Sequence, residues 1–166
     1  KRKKKREKAE AKRKAEVERW AAMSPEQRIQ EQMKEAKQKA KSNSVLKKSK
    51  IFGTLSSNAA AKLIDIMEYE RIEGGVVVCQ EGAMASKMYL IVSGECEVLD
   101  GGLTKDTKED AVFFVLKPND IFGESALLPD KFGGVPRRKK TVRVKTDSVL
   151  MALTLTSVAF ENIVKD

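Results

Sequence analysis

The sequence predicts an α+β fold: an antiparallel β-roll or barrel with attached helices, preceded by a charged helical arm. Two observations carry this. Helix-forming segments occupy roughly the first 70 residues, and short apolar β-rich runs separated by turn residues fill most of the remainder. Charge divides along similar lines: residues 1–50 hold 19 Lys/Arg and 7 Glu, while residues 51–166 hold 14 Lys/Arg and 17 Asp/Glu. A segment of charge +12 thus precedes one of charge −3, the pattern of an interaction arm joined to a near-neutral globule.

Residues 1–22 are almost wholly Lys, Arg, Glu and Ala, without Gly or Pro, so a helix is expected. Ala9, Val17, Trp20 and Ala21 are too sparse for a core stripe, which leaves this helix solvated or resting on a partner. Ser24-Pro25-Glu26-Gln27 reads as a capping box with proline at the first helical position, opening a second helix to about Lys41. Its Ile29, Met33 and Ala36 share a face that can pack on the following domain. Ser42-Asn43-Ser44 marks a break, so the chain reads as a basic helical arm over residues 1–43 and a folded domain over residues 44–166. Val45, Leu46, Ile51, Phe52 and Leu55 form a short apolar cluster. Ser56-Ser57-Asn58 starts a third helix, with Ala59, Leu63, Ile66 and Met67 at helical spacing, ending near Tyr69.

After Gly74-Gly75 the pattern changes. Strand-like runs are Val76 to Cys79, Met88 to Val92, Glu95 to Leu99, Ala111 to Leu116, Lys140 to Val144 and Val149 to Leu155. Glu81-Gly82, Ser93-Gly94, Asp100-Gly101-Gly102, Pro118-Asn119-Asp120 and Thr146-Asp147 are the turns between them. The segment from Thr156 to Asp166 reads as a final helix.

Several functions are excluded by what is lacking. Histidine is absent, which removes His-based zinc sites and His-dependent catalysis. No nucleophile–base pair, catalytic carboxylate pair or Walker-type loop is present, so the chain is expected not to be an enzyme and to need no cofactor. Cys79 and Cys96 both lie in apolar runs and read as reduced, buried thiols of a cytoplasmic protein. No stretch is long and apolar enough for a membrane helix or a secretory signal. The chain begins at Lys1 without Met, and a fragment of a longer protein is expected.

The chemistry concentrates in Ile121-Phe122-Gly123-Glu124-Ser125-Ala126-Leu127-Leu128 and Pro136-Arg137-Arg138-Lys139-Lys140-Thr141-Val142. Gly123 lets the backbone approach a ligand closely, and amides opening a short helical turn at Glu124 can face an anion. An arginine fork suits a phosphate, bonding two of its oxygens at once. Glu124 beside an anion is tolerable if it accepts a hydroxyl proton, as from a ribose.

These two stretches resemble the phosphate-binding cassette of cyclic-nucleotide-binding domains, as found in the regulatory parts of eukaryotic cAMP- and cGMP-dependent protein kinases. The resemblance extends over roughly residues 44–166. Leu46 to Phe52 with Leu55 is similar to the family's entry helix, Glu81-Gly82 with Tyr89 to Glu95 to its hairpin, and Pro118 to Phe122 to the strand before the cassette. It implies a jelly-roll-like β-roll that senses cAMP or cGMP and passes the signal to attached helices. It also implies that Gly123 and Glu124 hold the ribose and that Ala126 lends a backbone amide to the phosphate. Ser125 and Thr141 complete the set, and one arginine pairs with the phosphate. Counting back from Thr141 selects Arg138; counting forward from Pro136 selects Arg137. The family's helical lid would follow the point where this chain stops.

A second reading keeps the fold without the ligand. Residues 129–135 lengthen the cassette, and Lys139 and Lys140 stand where the family has small residues. The chain would then be a structural interaction module, docked through its basic helix in a cytoskeletal or signalling assembly. On either reading, residues 1–41 suit an acidic protein surface, ahead of nucleic acid or an anionic membrane, because no aromatic or base-reading motif accompanies the charge.

Overall fold

The computed structural model describes residues 2–42, 45–99, 112–128 and 133–164. Asn43 and Ser44 of the expected break, the Asp100-Gly101-Gly102 turn, Ala111, residues 129–132 of the long cassette loop and the end of the final helix at residues 165–166 lie outside these. The chain divides into two compact units, Lys1–Glu35 and Ala36–Asp166.

The first unit holds α1 (Arg2–Ala22) and the start of α2 (Pro25–Ser42). No residue of α1 is buried, as the thin apolar content required. The capping box forms in both directions: Gln27 N donates to Ser24 Oγ at 3.2 Å and Ser24 N to Gln27 Oε1 at 2.9 Å. Arg28 closes the other helix, donating to the Trp20 and Ala21 carbonyls at 3.0 and 3.2 Å. Those carbonyls end α1 and would otherwise look to water.

The second unit begins earlier than the expected break, because Ala36 and Ala40 on the last turns of α2 are buried in its core. Ile29, by contrast, stays 50% exposed. Two 3-10 turns, Val45–Lys48 and Phe52–Thr54, make up the segment that resembles the family's entry helix. Next comes α3 (Ser57–Ile66), capped by Ser56, whose hydroxyl accepts from Ala59 N at 3.1 Å.

Among the described residues eight strands follow: β1 (Glu68–Ile72), β2 (Val77–Cys79), β3 (Lys87–Ser93), β4 (Cys96–Leu99), β5 (Val112–Leu116), β6 (Ile121–Phe122), β7 (Thr141–Val144) and β8 (Leu150–Thr156), then α4 (Ser157–Val164). They form two antiparallel four-stranded sheets, ordered β1-β8-β3-β6 and β2-β7-β4-β5. The α+β architecture with flanking helices is the one expected.

One strand differs from expectation. The third helix stops at Ile66 instead of near Tyr69, Met67 turns extended, and β1 pairs with β8 from Glu68↔Thr154 to Ile72↔Leu150. Glu68, Glu70 and Arg71 conceal the strand, since three charges in five residues leave no apolar alternation.

The central strands show why their runs are continuously apolar. Met88 and Leu90 of β3 join one core with α3 and α4, while Tyr89 and Ile91 face the second core between the sheets. Strand β8 divides likewise, with Leu153 and Leu155 on one side and Leu150 and Ala152 on the other. A strand covered on both faces needs apolar side chains at successive positions.

Candidate functional site

The site is built from two loops that the sheets bring together. At the first, Asp120 N donates to Lys117 O at 3.0 Å, and Asn119 takes φ 75°, closing a turn with Pro118 at its first corner. This turn delivers β6 beside β3, pairing Phe122 with Tyr89. Their rings stack at 4.8 Å between centroids and 6° between planes. Gly123 then adopts a left-handed conformation, φ 77° and ψ 15°, and opens a 3-10 turn over Glu124–Leu127. Ala126 and Leu127 are buried and anchor it.

At the second loop, Ala85 N donates to Pro136 O at 2.7 Å, Arg138 N to Ala83 O at 2.8 Å and Gly82 N to Arg138 O at 2.9 Å. This zipper places the two arginines differently. Arg138 is 8% exposed, and its Nη1 and Nη2 donate to Gly123 O at 3.2 Å and Lys87 O at 2.7 Å. Its Cζ stands 6.0 Å from the centre of the Tyr89 ring, a cation–π arrangement that holds the fork in place. Arg137 is exposed and donates to Gly82 O at 2.8 Å. Arg138 therefore lies at Gly123 and Arg137 does not.

A cavity of about 520 Å³ opens beside this pair. Gly123, Glu124, Ser125 and Arg138 line it, whereas Ala126, Arg137 and Thr141 are not on its wall. The Ala126 amide donates to Gly123 O at 3.0 Å. Thr141 is fully buried, and its hydroxyl accepts from Glu81 N at 3.1 Å, tying β7 to the Glu81-Gly82 turn. Glu124 is different: its Oε1 is buried without a hydrogen-bond partner among the described residues. An unpaired buried acceptor of this kind costs about 1–3 kcal/mol, which a hydroxyl donor from a ligand would recover.

The opposite wall is apolar and follows from strand register. Cys79 pairs with Val142, Val142 with Val98 and Val98 with Phe114, so one cross-strand row runs over four strands and lines the cavity. None of these residues was a sequence candidate. Their apolar runs were visible, but only the pairing places them in one row. Burial pushes the Cys79 thiol above its usual pKa, with Arg138 and Lys87 opposing this, so it remains neutral wall material. Lys139 and Lys140 are exposed and meet the cavity at its mouth.

Residues 69–165 match the cyclic nucleotide-binding domain model. A cAMP-dependent protein kinase regulatory subunit of Yarrowia lipolytica is 39% identical over 101 residues, which is 61% of this chain and 24% of that protein. A cGMP-dependent protein kinase of Plasmodium berghei is 34% identical over 88 residues, 53% of this chain and 9% of the kinase. The match thus covers about a quarter or less of these relatives' length. Among solved structures, the regulatory domain of Toxoplasma gondii PKA in co-crystal with cAMP superposes with a TM-score of 0.58 at 27% identity, covering 76% of this chain and 44% of that one. With the family model spanning more than half its residues, the chain belongs to the cyclic nucleotide-binding domain family.

Proposed function

We propose that this domain binds a purine 3′,5′-cyclic monophosphate, cAMP or cGMP, and acts as a regulatory module of a larger intracellular protein, without catalysis of its own. The observation that carries the reading is one juxtaposition: the buried guanidinium of Arg138 beside Gly123, with the unpartnered Oε1 of Glu124 in the same cavity wall. The phosphate takes the remaining N–H donors of Arg138, with Gly123 and Ser125 around it. The ribose hydroxyl donates to Glu124, and the base lies along the Cys79–Val142–Val98–Phe114 row. Ala126 contributes its amide only if the turn loosens its bond to Gly123 O. Binding gathers the Gly123 turn and the Arg138 loop on one ligand, and Leu127, packed in the core that holds α3 and α4, carries the shift to the helices.

The ligand-free reading is not favoured. Its main support was bulk at Lys139 and Lys140, and both are exposed at the mouth while Arg138 faces Gly123. The buried free thiols Cys79 and Cys96 support an intracellular setting. The basic α1 supports an anionic protein partner. Among the described residues no helix is long and apolar enough to cross a membrane.

Calorimetric titration of the chain with cAMP and cGMP tests the reading. Saturable heat and a ligand-dependent rise in Tm are expected. Absence of both at millimolar ligand would overturn it.

A further inference from the structure

Tyr89 lies where the two loops of the site meet, behind the cavity wall that Phe122, Gly123 and Arg138 form. It is 4% exposed on β3, and it pairs with Phe122 of β6 on one side and with Thr154 of β8 on the other. The Phe122 ring stacks on it with 6° between planes, which fixes the plane of the phenol ring beside the residue that precedes Gly123. Arg138 Cζ stands 6.0 Å from the centre of that same ring. A buried ring held in this way presents the electron-rich face of its π-system to a cation without having to reorient.

Lys87 supplies the other half of the restraint. Its carbonyl accepts from Arg138 Nη2 at 2.7 Å, while its ammonium, 5.7 Å from the centre of the Tyr89 ring, donates to Glu70 Oε1. That oxygen also accepts from the hydroxyl of the buried Thr154 at 3.3 Å. Two cations thus share one ring, and the Glu70 carboxylate neutralises Lys87, which relieves its repulsion of the guanidinium. The groups that hold Arg138 are two carbonyls and a ring, all uncharged, so its own charge is not cancelled by them. Holding it matters because a loose arginine loses rotamer freedom when it grips an anion, whereas one ordered by folding has lost that freedom already.

We propose that Tyr89 is a positioning residue of the phosphate site: the face of its ring holds the Arg138 guanidinium in the orientation that receives the anion, and nucleotide affinity depends on that ring through the arginine. This rests on the assignment of the cyclic phosphate to Arg138, and the test separates the two. The full chain is titrated by calorimetry with cAMP and cGMP as the parent, as Tyr89→Leu, as Tyr89→Phe, and as Tyr89→Phe with fluorines on the ring, which keep its shape while draining charge from its face. For the nucleotide that the parent binds, Tyr89→Leu should lose about three- to thirtyfold in affinity, the span of cation–π energies expressed as a ratio. Tyr89→Phe should retain most of the parent's affinity, and the fluorinated ring should lose it again. A ring that served packing alone would leave the plain and fluorinated variants equal, so this comparison decides the matter even where Tyr89→Leu fails to fold. Equal affinity of those two variants, or a parent-like Tyr89→Leu, overturns the proposal while cyclic-nucleotide binding stands. If the parent binds neither nucleotide, the phosphate assignment falls and this proposal with it.

Discussion

Arg138 and Gly123 occupy each other's space: a Cβ built on Gly123 would stand 2.5 Å from Nη1 of Arg138 and 3.1 Å from Lys87 O. The guanidinium lies where a side chain would otherwise be, and the left-handed backbone at Gly123 turns its carbonyl to that fork. Gly123→Ala therefore meets two obstacles at once. The φ of 77° is strained for an L-residue, and the methyl displaces the arginine. A loss of about 1–3 kcal/mol in folding stability is expected, together with at least about a tenfold loss in cyclic-nucleotide affinity. Urea unfolding and calorimetry check the two separately. Undiminished affinity would show that the contact does not position the anion site.

The two arginines should behave unequally. Arg138 bridges the carbonyls of Gly123 and Lys87 with two nitrogens of one planar fork, a geometry lysine cannot reproduce. Arg138→Lys keeps the charge but loses the fork, and should weaken nucleotide binding by about 1–3 kcal/mol, the cost of a hydrogen bond to a charged group left unmade. Arg137→Ala removes an exposed side chain bonded to Gly82 O, and should change affinity by less than about threefold. Equal losses in the two titrations would contradict the assignment.

The carboxylate offers a test in which stability and binding part company. Glu124 Oε1 is buried and unpartnered, so Glu124→Gln removes a desolvated charge while keeping its shape. The free protein should be as stable as the parent or more so. Affinity should fall about tenfold, because the hydroxyl of the ribose loses its charged acceptor. A 2′-deoxy cyclic nucleotide should bind parent and variant alike. If the variant discriminates against the deoxy ligand as strongly as the parent does, Glu124 does not hold the ribose.

How much of this was legible in the sequence depended on whether the deciding interaction was local. The capping box of Ser24 and Gln27 and the cap at Ser56 are contacts within three residues, and their residue types announce them. The Ser93-Gly94 turn was equally plain, and its glycine proves obligatory, since a Cβ there would stand 2.1 Å from Val149 O. Strand β1 was hidden because its stability comes from pairing with β8 and from the Glu70 to Lys87 salt bridge, neither visible in a charged pentapeptide. The different placements of Arg137 and Arg138 were hidden for the same reason: they depend on bonds to Gly82 and Ala83, more than fifty residues away. Thr141 carries the family's pattern, yet its hydroxyl is committed to Glu81 N.

Alkaline pH should destabilise the fold through its buried thiols. Burial raises the pKa of Cys79, and burial followed by the influence of Cys79 pushes Cys96 up to about 12, from an ordinary value of 9.0. Below pH 9 both states keep these protons, and the thiols' contribution to stability is complete. Above it the unfolded chain releases them while the folded chain retains them, so stability falls as pH rises, until the folded-state values are reached. Tyr89, raised to about 12 mainly by burial, joins above its ordinary 10.0, and the exposed Lys145, raised chiefly by its bond to Glu95, only above 10.5. Between pH 9 and 10 the slope therefore belongs chiefly to the thiols, at up to about 1.4 kcal/mol per pH unit for each. Cys96→Ala lowers stability at every pH by leaving a small cavity, but it should flatten the decline by the share of one proton. Urea unfolding of parent and variant at pH 8, 9 and 10 reads this directly, and parallel declines would mean that Cys96 does not titrate differently in the two states.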